Sequence, residues 1–211
     1  MTRRDTASSS IDRRRMLKTL AVAPAAAAFT WTAGEVAEAA TAAGLARRRA
    51  AQAGAAFQRQ FFSDHEWETV RVLVDLVIPR DARSGSATEA GVPEFMDFMM
   101  IDQPNRQTAM RGGLAWLDAE ANRRFDHTFA AATDAERRAI LDDVAWPDRV
   151  APGMSHGASF FASFRDLTAS GFWTTRMGID DLGYLGNVQV REWRGCPDEV
   201  LTRLGLPTGR E

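Results

Sequence analysis

Apolar residues recur at helical spacing along most of this chain, and nowhere do they alternate with polar ones long enough to suggest a strand. Two capping boxes fix where helices begin. Ser63-Asp64-His65-Glu66 starts a run carrying Trp67, Val70, Leu73, Val74 and Val77, which Pro79 stops. Thr133-Asp134-Ala135-Glu136 starts another with Ile140, Leu141 and Val144, ending before Pro147. Between them, Arg80 to Ala90 reads as a polar loop, and Pro93 opens a helix through Phe95, Met96, Phe98 and Met99. Asn105 to Phe129 reads as a longer helix that Gly112-Gly113 weakens, so a break or a close backbone contact is expected there. Ala158 to Ser170 and Asp198 to Leu204 complete the helical segments. The expected fold is mostly α: one domain of about five to seven helices over residues 61–211. Its C-terminal part, from Gly171 through Asn187, reads as a long, ordered loop rich in glycine and aromatics.

The N-terminus carries a different message. Arg13-Arg14-Arg15-Met16-Leu17-Lys18 precedes a mild apolar run from Thr19 to Trp31, the pattern of a twin-arginine export signal. Arg13, Arg14, Leu17 and Lys18 are its signature positions. Pro24 interrupts the run, which is too short and too weakly apolar to span a bilayer stably. Ala37-Glu38-Ala39 offers an A-x-A cleavage site, with Ala42-Ala43 as an alternative. Residues 1–40 are thus expected to be signal and spacer. Residues 41–60, rich in Ala and Arg, read as a flexible tether able to turn helical when docked. The export route implied carries folded proteins, often with a cofactor or partner already in place.

The rest of the chain shows no cofactor fingerprint. A dinucleotide site needs a glycine-rich turn between a strand and a helix, and Gly178, Gly183 and Gly186 follow no strand pattern. One cysteine, Cys196, excludes both a c-type haem motif and an iron–sulfur ligand set within this chain. The three histidines are far apart, and no Glu-x-x-His pair occurs to suggest a di-iron bundle. The 26 Lys and Arg against 28 Asp and Glu, without a basic cluster in the core of the chain, argue against a nucleic-acid partner. A lone thiol in an exported chain is either a buried small hydrophobe or a candidate intersubunit bridge.

Four blocks carry a resemblance to a known family. The first runs from Phe62-Ser63 and Glu66 to Leu73-Val74-Asp75-Leu76-Val77-Ile78-Pro79-Arg80-Asp81. The second is Ala87 to Asp97, and the third Gly113 to Asp118 with Phe125 and Phe129. The fourth runs from Phe160-Phe161 through Gly171-Phe172-Trp173, then Asp181-Leu182-Gly183-Tyr184-Leu185-Gly186-Asn187, to Trp193-Arg194-Gly195-Cys196-Pro197. Over about residues 60 to 205 the chain resembles subunit 3, the small or gamma subunit, of the gluconate 2-dehydrogenase family. That resemblance implies a non-catalytic subunit with no cofactor of its own. It would carry the twin-arginine signal to the translocase, assist maturation of an FAD-dependent large subunit and take it to the periplasm. A cytochrome c subunit often completes such complexes.

The expected contacts with the large subunit are Phe172, Trp173, Tyr184, Asn187 and Trp193, with Pro79 and Asp81 beside them, because large rings and glycines together suit the centre of an interface. Two other readings stand at this point. One is an exported metal-assisted hydrolase using His156, Asp180 and Asp181; the other is a free-standing helical envelope protein.

Overall fold

The structure, a computed structural model, describes residues 31–184, 186 and 195–208. Nine α-helices account for most of them, and there are no strands among the described residues. In chain order they are α1 (Ala33–Gln52), α2 (Asp64–Val77), α3 (Ala87–Ala90), α4 (Val92–Asp102), α5 (Gln107–Phe125), α6 (Asp134–Ala145), α7 (Ser155–Trp173), α8 (Arg176–Leu182) and α9 (Asp198–Arg203). The mostly α, single-domain architecture is the one the sequence pattern indicates. The count exceeds seven because α3, α8 and α9 are short, and the stretch from Gly171 is not one long loop: α7 runs on to Trp173 and α8 follows over Arg176–Leu182.

The core is organised around α7. Phe160, Phe161, Phe164, Leu167 and Phe172 are all buried, on more than one face of the helix, and α7 packs against α1 through α6 and against α8. Its one buried hydroxyl, Thr168, donates to the Phe164 carbonyl at 2.8 Å, so the apolar interior holds no orphaned donor there. Facing α7, α4 contributes Phe95, Met96, Met99 and Met100, and α5 contributes Leu114, Leu117 and Ala121. The close contact expected at Gly112-Gly113 is real at one of the two. A Cβ on Gly113 would run into the Phe160 ring, whereas one on Gly112 would meet nothing within 4 Å. α5 and α7 therefore cross tightly at Gly113.

The expected α5 is too long. Asp126 adopts a left-handed φ of 64° and ends the helix at Phe125. Phe129 still reaches the core from the following turn, where its N–H donates to Asp118 Oδ1 at 2.9 Å.

Residues 41–52 are helical and docked. α1 spans Ala33–Gln52 and lies along α4, burying Val36, Ala39 and Ala43. The small side chains of Ala39 and Ala43 let the two helices pack closely. Arg47 then pins α1 near its far end, donating to the Glu89 carbonyl at 3.2 Å and pairing with Glu94 at 3.5 Å. Gly91, with φ 93° between α3 and α4, leaves the space that the Arg47 guanidinium fills. Downstream, the Asp97 carboxylate accepts from the N–H groups of Gln60, Phe61 and Phe62 at 2.8, 2.9 and 3.1 Å. That single carboxylate orders the approach to α2 and seats Phe61 and Phe62 in the core.

Candidate partner-binding groove

The turn from α7 to α8 sets the site. Thr175 caps α8, its hydroxyl oxygen accepting from Gly178 N–H at 3.1 Å while its O–H donates to the Phe172 carbonyl at 2.7 Å. A Cβ on Gly178 would strike that same carbonyl, so α8 can fold back onto the end of α7 only because residue 178 has none. Gly183 then ends α8 in a left-handed turn, with Tyr184 N–H reaching the Ile179 carbonyl at 3.2 Å. Leu182 and Tyr184 are left pointing outward, 60% and 63% exposed.

Beside this turn runs an open groove of about 1020 Å³, the space between α1, the α3–α4 junction and the α7–α8 corner. Its floor is mostly small: Ala37, Ala40, Ala43, Gly44, Ala90, Gly91 and Gly171. Trp173, Ile179, Leu182 and Tyr184 form an apolar wall, and Arg47, Arg48 and Arg176 stand on the rim. No carboxylate lines it. Glu94 lies just beneath, paired with Arg47; burial pushes its carboxyl above the ordinary range, Arg47 pulls it back, and one of its oxygens is buried without a hydrogen-bond partner. Among the described residues lining the groove, no nucleophile is paired with an oriented base. The groove offers area, rings and positive charge, which are means of binding a macromolecule.

The expected contact residues separate into distinct groups. Trp173 and Tyr184 both line the groove. Phe172 does not: it is fully buried and meets the Trp173 ring edge-on at 4.9 Å. Adjacent residues on a helix face different ways, so only one of the Phe172-Trp173 pair can look outward. Pro79 and Asp81 are exposed in the loop after α2, yet Asp81 has a local task. Its carboxylate accepts from the backbone N–H groups of Ser84 and Arg83 at 2.8 and 2.7 Å, and those bonds hold its pKa below the ordinary value. The loop reaches α8 through Arg83, which donates to the Asp181 carbonyl and lies 3.5 Å from its carboxylate. Asn187 and Trp193 lie outside the described residues, as do Arg13, Arg14, Leu17 and Lys18. Cys196 is exposed, which removes the reading of a buried small hydrophobe.

The hydrolase constellation does not assemble. His156 sits in the first turn of α7, while Asp180 and Asp181 follow its last turn, and a 19-residue helix is about 28 Å long. Asp180 is paired with Arg176 at 2.8 Å and Asp181 with Arg83, so both carboxylates are engaged in helix α8 rather than free in a glycine-rich turn. Among the described residues no group of three or more His, Cys, Asp or Glu is placed to hold a metal ion.

The model of the family described as gluconate 2-dehydrogenase subunit 3 matches residues 64–191. The chain belongs to that family. The match covers α2 through α8 and so includes the α7–α8 corner, whereas α1, the other wall of the groove, precedes it. By its description the family is a subunit of a dehydrogenase complex. No curated protein matches, and no solved structure matches.

Two further helix starts carry a complete local signal in the sequence. Thr32-x-x-Glu35 and Ser86-x-x-Glu89 are capping boxes as complete as the two that were read, and they start α1 and α3.

Proposed function

We propose that this chain is the non-catalytic small subunit of an exported FAD-dependent sugar or polyol dehydrogenase. In this reading it escorts the flavin-binding large subunit through maturation and carries it across the membrane by the twin-arginine route. The complex then works in the periplasm or on the outer face of the cytoplasmic membrane, with FAD held by the large subunit. A cytochrome c subunit, in complexes that have one, takes the electrons onward. The observation that carries the reading is the family match over residues 64–191.

The groove supports it chemically. A stable interface needs about 1,200 Å² or more in total, with aromatic anchors near its centre. Trp173, Leu182 and Tyr184 give exposed apolar area next to three arginines, a surface suited to an acidic, apolar-tipped element of the large subunit. The exposed Cys196 is free to form an intersubunit disulfide, which would appear on non-reducing gels of the complex as a mass that collapses with reductant.

The test uses two variants. Arg13→Lys with Arg14→Lys should trap the flavoprotein, as well as this chain, in the cytoplasm. Trp173→Ala with Tyr184→Ala should leave the chain folded but weaken its hold on the flavoprotein at least about thirtyfold, the effect of losing one anchor worth ~2 kcal/mol. A flavoprotein that reaches the periplasm normally in the arginine variant would sink the escort role.

A further inference from the structure

Both candidate cleavage sites, Ala37-Glu38-Ala39 and Ala42-Ala43, lie inside α1. A signal peptidase reads small side chains three residues and one residue before the cut, from a chain it binds extended. In a helix those positions, two residues apart, face different directions. Here Ala37 is exposed, while Ala39 and Ala43 are 6% and 3% exposed and packed in the core beside Val36. The backbone is engaged too, with the Thr41 hydroxyl donating to the Ala37 carbonyl at 2.8 Å. The helix is held on both sides of the sites. Upstream, the Thr32–Glu35 capping box closes its first turn, and Trp31 packs against the core with the Arg106 guanidinium 3.9 Å from its ring centre. Downstream, Arg47 binds the Glu89 carbonyl and Glu94. Proteolysis favours exposed backbone free of such bonds.

We infer that folding withdraws these sites from processing: α1 is a permanent part of the domain, and a chain that folds before export keeps the residues ahead of Ala39 attached. This rests on the export reading above. Cutting at Ala39 would require α1 to leave α4 and unwind, so its rate follows the small fraction of molecules in which α1 is open.

Full-length folded chain incubated with purified signal peptidase and followed by intact mass should stay whole. Two variants place a charge in the α1–α4 contact, Ala43→Arg and Val36→Asp, and hydrogen exchange over residues 33–52 reports whether each has opened α1. A variant with lost protection only there should release residues 1–39 at least about tenfold faster than the unaltered chain. Release of that fragment from the folded, unaltered chain would overturn the inference. So would the absence of cleavage in both opened variants, since docking would then not be what protects the sites. Because the assay is run on purified protein, a failed export reading would show in the Arg13→Lys, Arg14→Lys experiment and not here.

Discussion

Replacing Asp97 with Ala removes one side chain and three backbone anchors at once. Asp97 is 2% exposed, and its two oxygens accept from Gln60, Phe61 and Phe62 at 2.8 to 3.1 Å. A hydrogen bond to a charged group contributes about 1.5–3 kcal/mol, and a buried donor left without a partner forfeits its solvation. Gln60 is exposed, so its N–H would turn to water and cost little. Phe61 and Phe62 are buried, and at about 1.5 kcal/mol each their two donors give a loss of roughly 3 kcal/mol. The low end of the range applies because the variant no longer has to bury a carboxylate. For a domain of this size that loss corresponds to a fall in Tm of about 6–12 °C. Asp97→Asn keeps the oxygen that accepts from both Phe61 and Phe62 and turns its NH2 group only toward the exposed Gln60 N–H, so well under half the loss is expected. Urea unfolding followed by circular dichroism measures the change, and hydrogen exchange at Phe61 and Phe62 should lose its protection in step. A loss below about 0.5 kcal/mol for the Ala variant, with both amides still protected, would refute the idea that this carboxylate organises the entry to α2.

Neighbouring glycines on α5 should respond in opposite directions. Gly113→Val forces a side chain into the Phe160 ring and should cost about 1–3 kcal/mol, while Gly112→Ala, with open space around it, should gain about 0.5–1 kcal/mol; thermal melts of both decide it. Glu120 is held at a pKa of about 2 by hydrogen bonds from Arg123 and then Arg124. Its folded value lies below the ordinary 4.5, so its contribution is full above about pH 4.5 and fades as pH falls toward 2. Arg123 is largely exposed and screening reduces the effect to about 1 kcal/mol, so Glu120→Gln should flatten the stability profile between pH 4.5 and 2 by that amount; an unchanged profile would contradict the assignment. Cys196, being exposed, should label fully with a maleimide in the native isolated chain, and a thiol that reacts only in denaturant would contradict its placement.

Helix type and several boundaries were legible locally because capping boxes and prolines act within a turn or so of where they stand. Ser63, Thr133, Pro79 and Pro93 sit where their chemistry requires. The same logic, applied to Thr32 and Ser86, would have found α1 and α3. α1 also escaped notice because its buried stripe is mostly alanine, which reads as linker until another helix is seen to lie against it.

By itself, the sequence determined the helical class and the blocks that place the chain in its family. Tertiary structure alone decided which side chains face outward: Phe172 went into the core and Trp173 to the groove wall, although they are neighbours in sequence. It also decided the groove, whose walls come from α1, the α3–α4 junction and the α7–α8 corner, more than a hundred residues apart. The reason is that helical propensity is a local property, whereas burial depends on what the other helices cover.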